Sequence, residues 1–283
     1  MGAPMASNLA AAGHELVLYN RTREKAEAFA KEIGATVAGD PKEVAQDCET
    51  IITMLPGPPE VEEVVGGKGG LLEAAKSGAL ILDMSTSSPS LARSLARKGR
   101  EQSVGLLDAP VSGGDVGAIE GTLSIMAGGS EEDFERARPL FEVMGETIVH
   151  VGSPGAGQTV KASNQIVVAL VIEAVSEALV LSSKAGVDPS KVIEVLSGGL
   201  AANKVMEVKR QKLLKREFEP GGKVESHRKD LGIALASGRE YGVALPVTAL
   251  IHEMFGTLVA KGRSGWDHSA LITLVEEWSG GES

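Results

Sequence analysis

Apolar residues recur along this chain in two alternating rhythms. Residues 4–12 carry helical spacing and stop at Gly13, and ELVLY at 15–19 is a short apolar strand pattern. Ala26, Phe29, Ala30 and Ile33 repeat at helical intervals, so a helix is predicted over 23–33 with Gly34 as its stop. Further strands are predicted at 50–55, 79–83, 104–108, 123–127 and 147–151, with helices at 41–47, 59–65, 89–101 and 131–144. Strand and helix in alternation predict a mainly parallel sheet with helices on both faces.

The rhythm changes after Gly152. No Pro or Gly lies between Gly157 and Gly186, and apolar residues surround most of the helical circumference through 166–181. A long helix buried over much of its surface is expected there. Helical patterns follow at 189–197, 203–215, 225–241, 246–261 and 268–278, with no strand between them. The expected fold class is therefore α/β, with a Rossmann-type doubly wound sheet at 1–153 and an all-α domain at 154–283.

Composition narrows the partners. The 283 residues carry 28 basic and 38 acidic side chains, a net charge of −10, which argues against nucleic acid. Aromatics make up only 3%, so Ala, Val, Leu and Ile must build the core. Cys48 is the one cysteine and requires no oxidising compartment. The longest apolar run, 166–172, ends at Glu173 and is far short of the roughly 20 residues of a membrane span. A cytoplasmic protein without a membrane partner is expected, and with no paired Cys/His spacing no metal site is expected.

The opening is unusual for such a sheet. A dinucleotide-binding domain starts with a strand running into G-x-G-x-x-G. Here Met1-Gly2-Ala3-Pro4 supplies at most the last glycine and the first helical turn, so the first strand is missing from the expected pattern. Asn20-Arg21-Thr22, after ELVLY, stands where dinucleotide folds choose between cofactors, and an Arg there suits a 2′-phosphate. A simple helix cap at Thr22 explains the same residues.

Three further stretches carry chemistry. Ser112-Gly113-Gly114, in DAPVSGG at 108–114, can turn backbone N–H groups toward a carboxylate, or can be a plain turn. Lys161 and Asn164 share one face at the start of the long helix. A lysine held there among apolar residues is suited to give up a proton, whereas a surface lysine with its stem on apolar neighbours is the ordinary alternative. Leu55-Pro56 and Ser85-Thr86 follow apolar strands, at the carboxyl ends where parallel sheets bind ligands.

Together these segments resemble the β-hydroxyacid dehydrogenase family over essentially the whole chain. The matching stretches include GAPMASNL at 2–9, Asn20-Arg21-Thr22, Met54-Leu55-Pro56, Asp83-Met84-Ser85-Thr86, DAPVSGG, GTLSIMAGG at 121–129, GAGQTVKASNQ at 155–165 and Lys229-Asp230-Leu231. The resemblance implies that Lys161 is the catalytic lysine and that Asn164 helps to orient substrate. It implies a carboxylate loop at Ser112, Gly113 and Gly114. Cofactor contacts are implied at Gly2, Asn20, Arg21, Thr22, Leu55, Pro56, Ser85, Thr86 and Lys229. A retained Lys161 argues against the related imine reductases.

GGLA at 198–201, Phe218, Pro220, Gly221 and Lys223, His227 and DHSA at 267–270 point within the family to members that reduce tartronate semialdehyde. The substrate expected is a small carboxylated aldehyde or its β-hydroxy acid, 3-hydroxyisobutyrate and glyoxylate-type substrates being alternatives. NADP(H) is expected before NAD(H), and a homodimer or homotetramer is expected from the helical domain. A cofactor-impaired, non-catalytic member serving assembly is the alternative of another class, motivated by the missing strand.

Overall fold

Successive side chains of the central strands enter opposite cores. In the computed structural model of the protein, which describes residues 1–281, the chain divides into a first unit, Met1–Lys161, and a second beginning at Ala162. The first contains, in order, α1 (Gly2–Ala11), β1 (Val17–Leu18), α2 (Arg23–Ile33), β2 (Thr36–Val37), α3 (Pro41–Asp47), β3 (Thr50–Thr53), α4 (Pro58–Gly66) and α5 (Leu71–Ala74). It continues through β4 (Leu80–Asp83), α6 (Pro89–Glu101), β5 (Gly105–Asp108), β6 (Val111–Ser112), α7 (Gly114–Glu120), β7 (Leu123–Gly128), α8 (Glu131–Met144) and β8 (Gly145–Gly152).

Strands β3, β4 and β5 are parallel, β7 runs antiparallel to β5 and β6, and β8 is parallel to β7. Leu80 and Leu82 of β4 join Met5, Leu107, Leu123 and Phe141 on one face. Ile81 joins Leu106, Leu95 and Val61 on the other. That period of two, with every β4 residue buried, is the mark of a strand covered on both sides.

Strands β1 and β2 form their own parallel two-stranded sheet. The backbone N–H groups of Thr36 and Ala38 donate to the Leu16 and Leu18 carbonyls, so Val17 presents its peptide groups to the opposite side. On β3, the Glu49 and Thr53 carbonyls accept from β4, so Thr50 and Ile52 face away from it. A cavity of about 570 Å³ is lined by Val17, Thr50 and Ile52, among others, and so lies between these two sheet edges.

The ELVLY strand is accordingly cut to two residues, because only β2 pairs with it, at Val17 and Leu18. Thr36–Val37, Leu71–Ala74, Val111–Ser112 and Gly114–Glu120 are elements that sequence periodicity does not reveal. Each is short, and α7 contains Gly114 and Gly117, poor helix formers.

Helix α9 (Ala156–Lys184) starts in the first unit and continues into the second. The second unit then has α10 (Pro189–Ser197), α11 (Lys204–Lys215), α12 (Val224–Tyr241), α13 (Pro246–Ala260), a 3-10 turn (His268–Leu271) and α14 (Ile272–Trp278), with no strand among the described residues. The helix expected at 268–278 is thus split into that turn and α14. Ala169 and Ile172 of α9 pack with Leu231, Phe255 and Leu271, and Val175 and Leu179 pack with Ile193 and Met206.

Two features of this helix go beyond the periodic pattern. By length and composition α9 is apolar enough to cross a membrane, a property that a count of uninterrupted apolar residues misses because Glu173 and Glu177 interrupt the run. Nor is it buried over much of its surface. Val167 and Leu181 are 60% and 73% exposed, and Ala174 between them is exposed as well. Its apolar circumference exceeds what one chain covers.

Candidate active site

Parallel strands bring their carboxyl ends to one edge, and Gly2, Leu55, Pro56, Ser85 and Thr86 lie at the ends of β3 and β4. A Cβ placed on Gly2 would lie 3.5 Å from the Met54 Cβ, which puts the N-terminus of α1 beside the end of β3. Met1 gives α1 no side-chain cap, and its first turn has no acidic residue, so the positive end of the helix dipole is left for an anion. At the end of β3, the Leu55 N–H donates to Ser85 Oγ at 2.8 Å. Pro56 is exposed and Thr86 half-buried.

Asn20, Arg21 and Thr22 form the exposed turn after β1. Asn20 Oδ1 accepts from the Thr22 N–H at 2.9 Å, whereas Thr22 makes no side-chain cap to α2. Thr22 stands at the N-cap position of α2 without a capping side-chain hydrogen bond, and Arg21 is exposed in the turn.

Two buried carboxylates stiffen this edge, and sequence reasoning gave neither a role. Asp83 Oδ1 accepts from Thr53 Oγ1 and the Ser85 N–H at 2.8 and 3.2 Å. Burial pushes its pKa up to about 6 against these hydrogen bonds. Asp108 accepts from the Gly155 and Gln158 N–H groups at 2.7 and 2.9 Å, so it caps the start of α9. Burial lifts its pKa to about 7; the two N–H groups oppose that, and Asp83 adds to it. The close fit at this joint explains Gly157, where a Cβ would come within 2.3 Å of both the Asp108 and Met126 carbonyl oxygens.

Lys161, one turn along, is 7% exposed. The surface-lysine alternative is thereby excluded. Its ammonium donates to the Val111 carbonyl at 2.8 Å, so it is held at the residue that precedes Ser112-Gly113-Gly114. Gly113 and Gly114 have φ of 137° and 66°, backbone that L side chains rarely adopt, and both are exposed.

Asn164 and Lys229 belong to the second unit. Asn164 Nδ2 donates to Gln165 Oε1, Gln165 Nε2 donates to Asp230 Oδ2 at 2.7 Å, and Lys229 pairs with Asp230 at 3.1 Å. Gln165 and Asp230 are the links that sequence reasoning did not single out.

Comparison with known proteins decides the family. Residues 1–152 match the family model for the NAD binding domain of 6-phosphogluconate dehydrogenase. Residues 155–275 match that for the NAD-binding region of NADP-dependent 3-hydroxyisobutyrate dehydrogenase. Over 276 residues the chain is 47% identical to 2-hydroxy-3-oxopropionate reductase of Escherichia coli (strain K12), covering 98% of this chain and 94% of that protein. The chain belongs to the β-hydroxyacid dehydrogenase family.

This dehydrogenase is also 37% identical to 2-(hydroxymethyl)glutarate dehydrogenase of Eubacterium barkeri, over 99% of its own length and 93% of the relative's. Among solved structures, 3-hydroxyisobutyrate dehydrogenase of Mycobacterium tuberculosis with L-serine matches at a TM-score of 0.88 and 31% identity, covering 97% of this chain and 95% of that one. As a family member it is an NAD(P)-dependent oxidoreductase, and the Rossmann-type sheet followed by a helical domain is the expected fold.

Proposed function

We propose that this dehydrogenase reduces tartronate semialdehyde (2-hydroxy-3-oxopropionate) to D-glycerate with NADPH, Lys161 serving as general acid. The observation that carries the reading is the buried Lys161 ammonium, 2.8 Å from the carbonyl that precedes the Ser112-Gly113-Gly114 loop. The 47% identity to the Escherichia coli 2-hydroxy-3-oxopropionate reductase supports the choice of substrate.

The strand edge suits the nicotinamide cofactor. The uncapped N-terminus of α1 at Gly2 would receive the pyrophosphate. Asn20, Arg21 and Thr22 would meet the adenosine ribose, with Arg21 facing a 2′-phosphate, and Leu55, Pro56, Ser85 and Thr86 would line the strand ends. Lys229 would add a contact from the helical part. In this reading residues 1–153 hold the cofactor and 154–283 serve substrate shaping and assembly.

When bound, the reduced cofactor supplies a hydride to the aldehyde carbon. The chain does the rest. Ser112 and the N–H groups around Gly113 and Gly114 hold the substrate carboxylate. Lys161 Nζ gives its proton to the carbonyl oxygen as negative charge develops there, and Asn164 orients the substrate.

A second reading, 3-hydroxyisobutyrate dehydrogenase, is favoured by the 31% identity and full-length structural match to the Mycobacterium tuberculosis enzyme. NAD(H) in place of NADP(H) goes with either substrate. The exposed Val167, Ala174 and Leu181, seven residues apart on one face of α9, support a homodimer or homotetramer. A cytoplasmic location accords with the unpaired cysteine and acidic composition.

The test is NADPH consumption followed by absorbance, with tartronate semialdehyde and 3-hydroxyisobutyrate's semialdehyde in parallel. Faster turnover of the first supports the proposal, and preference for the second moves the assignment to the alternative. No turnover with either, despite bound NADPH, removes the reductase reading.

A further inference from the structure

Gln158 is 1% exposed, and its side-chain amide reaches from α9 to the loop after β4 through both its nitrogen and its oxygen. Nε2 donates to the Ser85 carbonyl at 2.9 Å, and Oε1 accepts from the Ser87 N–H at 2.8 Å. Ser85 and Ser87 are themselves 0% and 1% exposed, so these two peptide groups have left the β4 ladder inside the protein. An unpaired buried peptide group is costly. A planar amide with one donor edge and one acceptor edge completes both at once, as a neighbouring strand would.

The same residue is tied to a third element. Its own N–H donates to Asp108 Oδ2 at the end of β5. Ser85 in turn holds the Leu55 N–H at the end of β3. Lys161 follows Gln158 by three positions and so stands on the adjoining part of the same helical face. One side chain thus joins the strand-end loops to the turn that carries the lysine.

We infer that Gln158 is a positioning residue for the reaction, fixing the 85–87 loop against the first turn of α9 and thereby setting Lys161 relative to the strand ends. The inference rests on the proposed roles of Lys161, Ser85 and Thr86. Glutamate at this position keeps the acceptor but sets a carboxylate oxygen against the Ser85 carbonyl. Methionine keeps the bulk and removes both hydrogen bonds.

Gln158→Met and Gln158→Glu are compared with the parent chain by thermal unfolding, kinetics and amide hydrogen exchange. Both variants should remain folded, lose about 10- to 100-fold in kcat, and raise the KM for NADPH several-fold. The primary isotope effect with deuterated NADPH should increase, because a mis-set distance slows hydride transfer itself. A loss of kcat with an unchanged isotope effect would reflect fewer correctly folded molecules and would overturn the positioning role. Exchange separates this inference from the proposed activity. Faster exchange at the Ser87 amide accompanied by faster exchange in the first turn of α9 supports the coupling even in a chain without turnover. Faster exchange at Ser87 alone overturns it.

Discussion

Asp83 and Asp108 are partners across the β4–β5 ladder, both buried at the last residues of adjacent parallel strands. Asp83 anchors the Ser85 turn that follows its own strand, and Asp108 the first turn of the distant α9. Two carboxyls in such a place share one burden, since burial favours their protonated forms and the charge of either disfavours ionisation of the other.

Their titration has a sign that can be measured. Both pKa values lie above the unfolded value, at about 6 and about 7, so the folded state keeps protons that the unfolded state has released. Stability from these groups is complete below pH 4 and is lost as pH rises through 6 and 7. Denaturant unfolding should show a fall of about 2 kcal/mol or more between pH 4 and pH 7. Asp83→Asn keeps an acceptor for Thr53 and Ser85 without a proton to lose, and should flatten part of that slope. A profile flat from pH 4 to 7 in the parent chain would contradict the buried, protonated pair.

Lys161→Ala should lower kcat by about 100- to 10,000-fold with NADPH affinity nearly unchanged, because in the proposed mechanism its ammonium serves the substrate and not the cofactor. Steady-state kinetics combined with cofactor fluorescence titration checks both halves. Near-parental turnover would remove Lys161 from the mechanism.

Arg21→Asp tests the proposed contact to a 2′-phosphate separately from catalysis. Losing a charge-assisted contact to a 2′-phosphate is worth about 1.5–3 kcal/mol, so the KM for NADPH should rise about 10- to 100-fold while NADH is hardly affected. Equal KM values for both cofactors before and after the change would mean that Arg21 does not read the phosphate.

In the second unit, Lys209 and Asp267 form a buried ion pair at 2.8 Å. Burial alone would raise the Asp267 carboxyl, but His268, Lys209 and Ser269 outweigh it and hold it below the usual carboxylate range. Asp267 also accepts from the Gly221 and Ser269 N–H groups, so the pair organises the turn that leads into α12. Lys209→Ala leaves that charge buried and should cost about 3 kcal/mol in denaturant unfolding. A loss under about 0.5 kcal/mol, the range of an exposed pair, would show that water reaches Asp267.

Much of the fold could be read from the sequence where the signal is local. Gly34 ends α2 at the predicted residue with φ of 72°, and Pro89 and Pro189 sit in the first turns of predicted helices. What sequence could not supply was partnership. Val111 and Ser112 become a strand only because Ser124 and Ile125 lie opposite. Periodicity cannot tell a buried Lys161 from one lying on the surface, since the answer depends on β6 arriving beside it. Gln158 gave no periodic signal at all. Its one available cue was a large polar residue directly after the tightly spaced Gly155 and Gly157.

The cavity between β1 and β3 has a mechanical consequence. No ladder crosses it, so residues 15–38 are joined to the rest of the first unit by side-chain packing, Leu16 into one core and Val17 and Ala38 into the other. Such a segment can open as a block without breaking the β3–β4–β5 ladder, at a lower free energy than the central strands. Amide exchange should therefore find Val17 and Thr36 opening before Ile81 and Leu107. The turn that carries Arg21 belongs to that block, so the contact proposed for a 2′-phosphate would move with it rather than with the central strands.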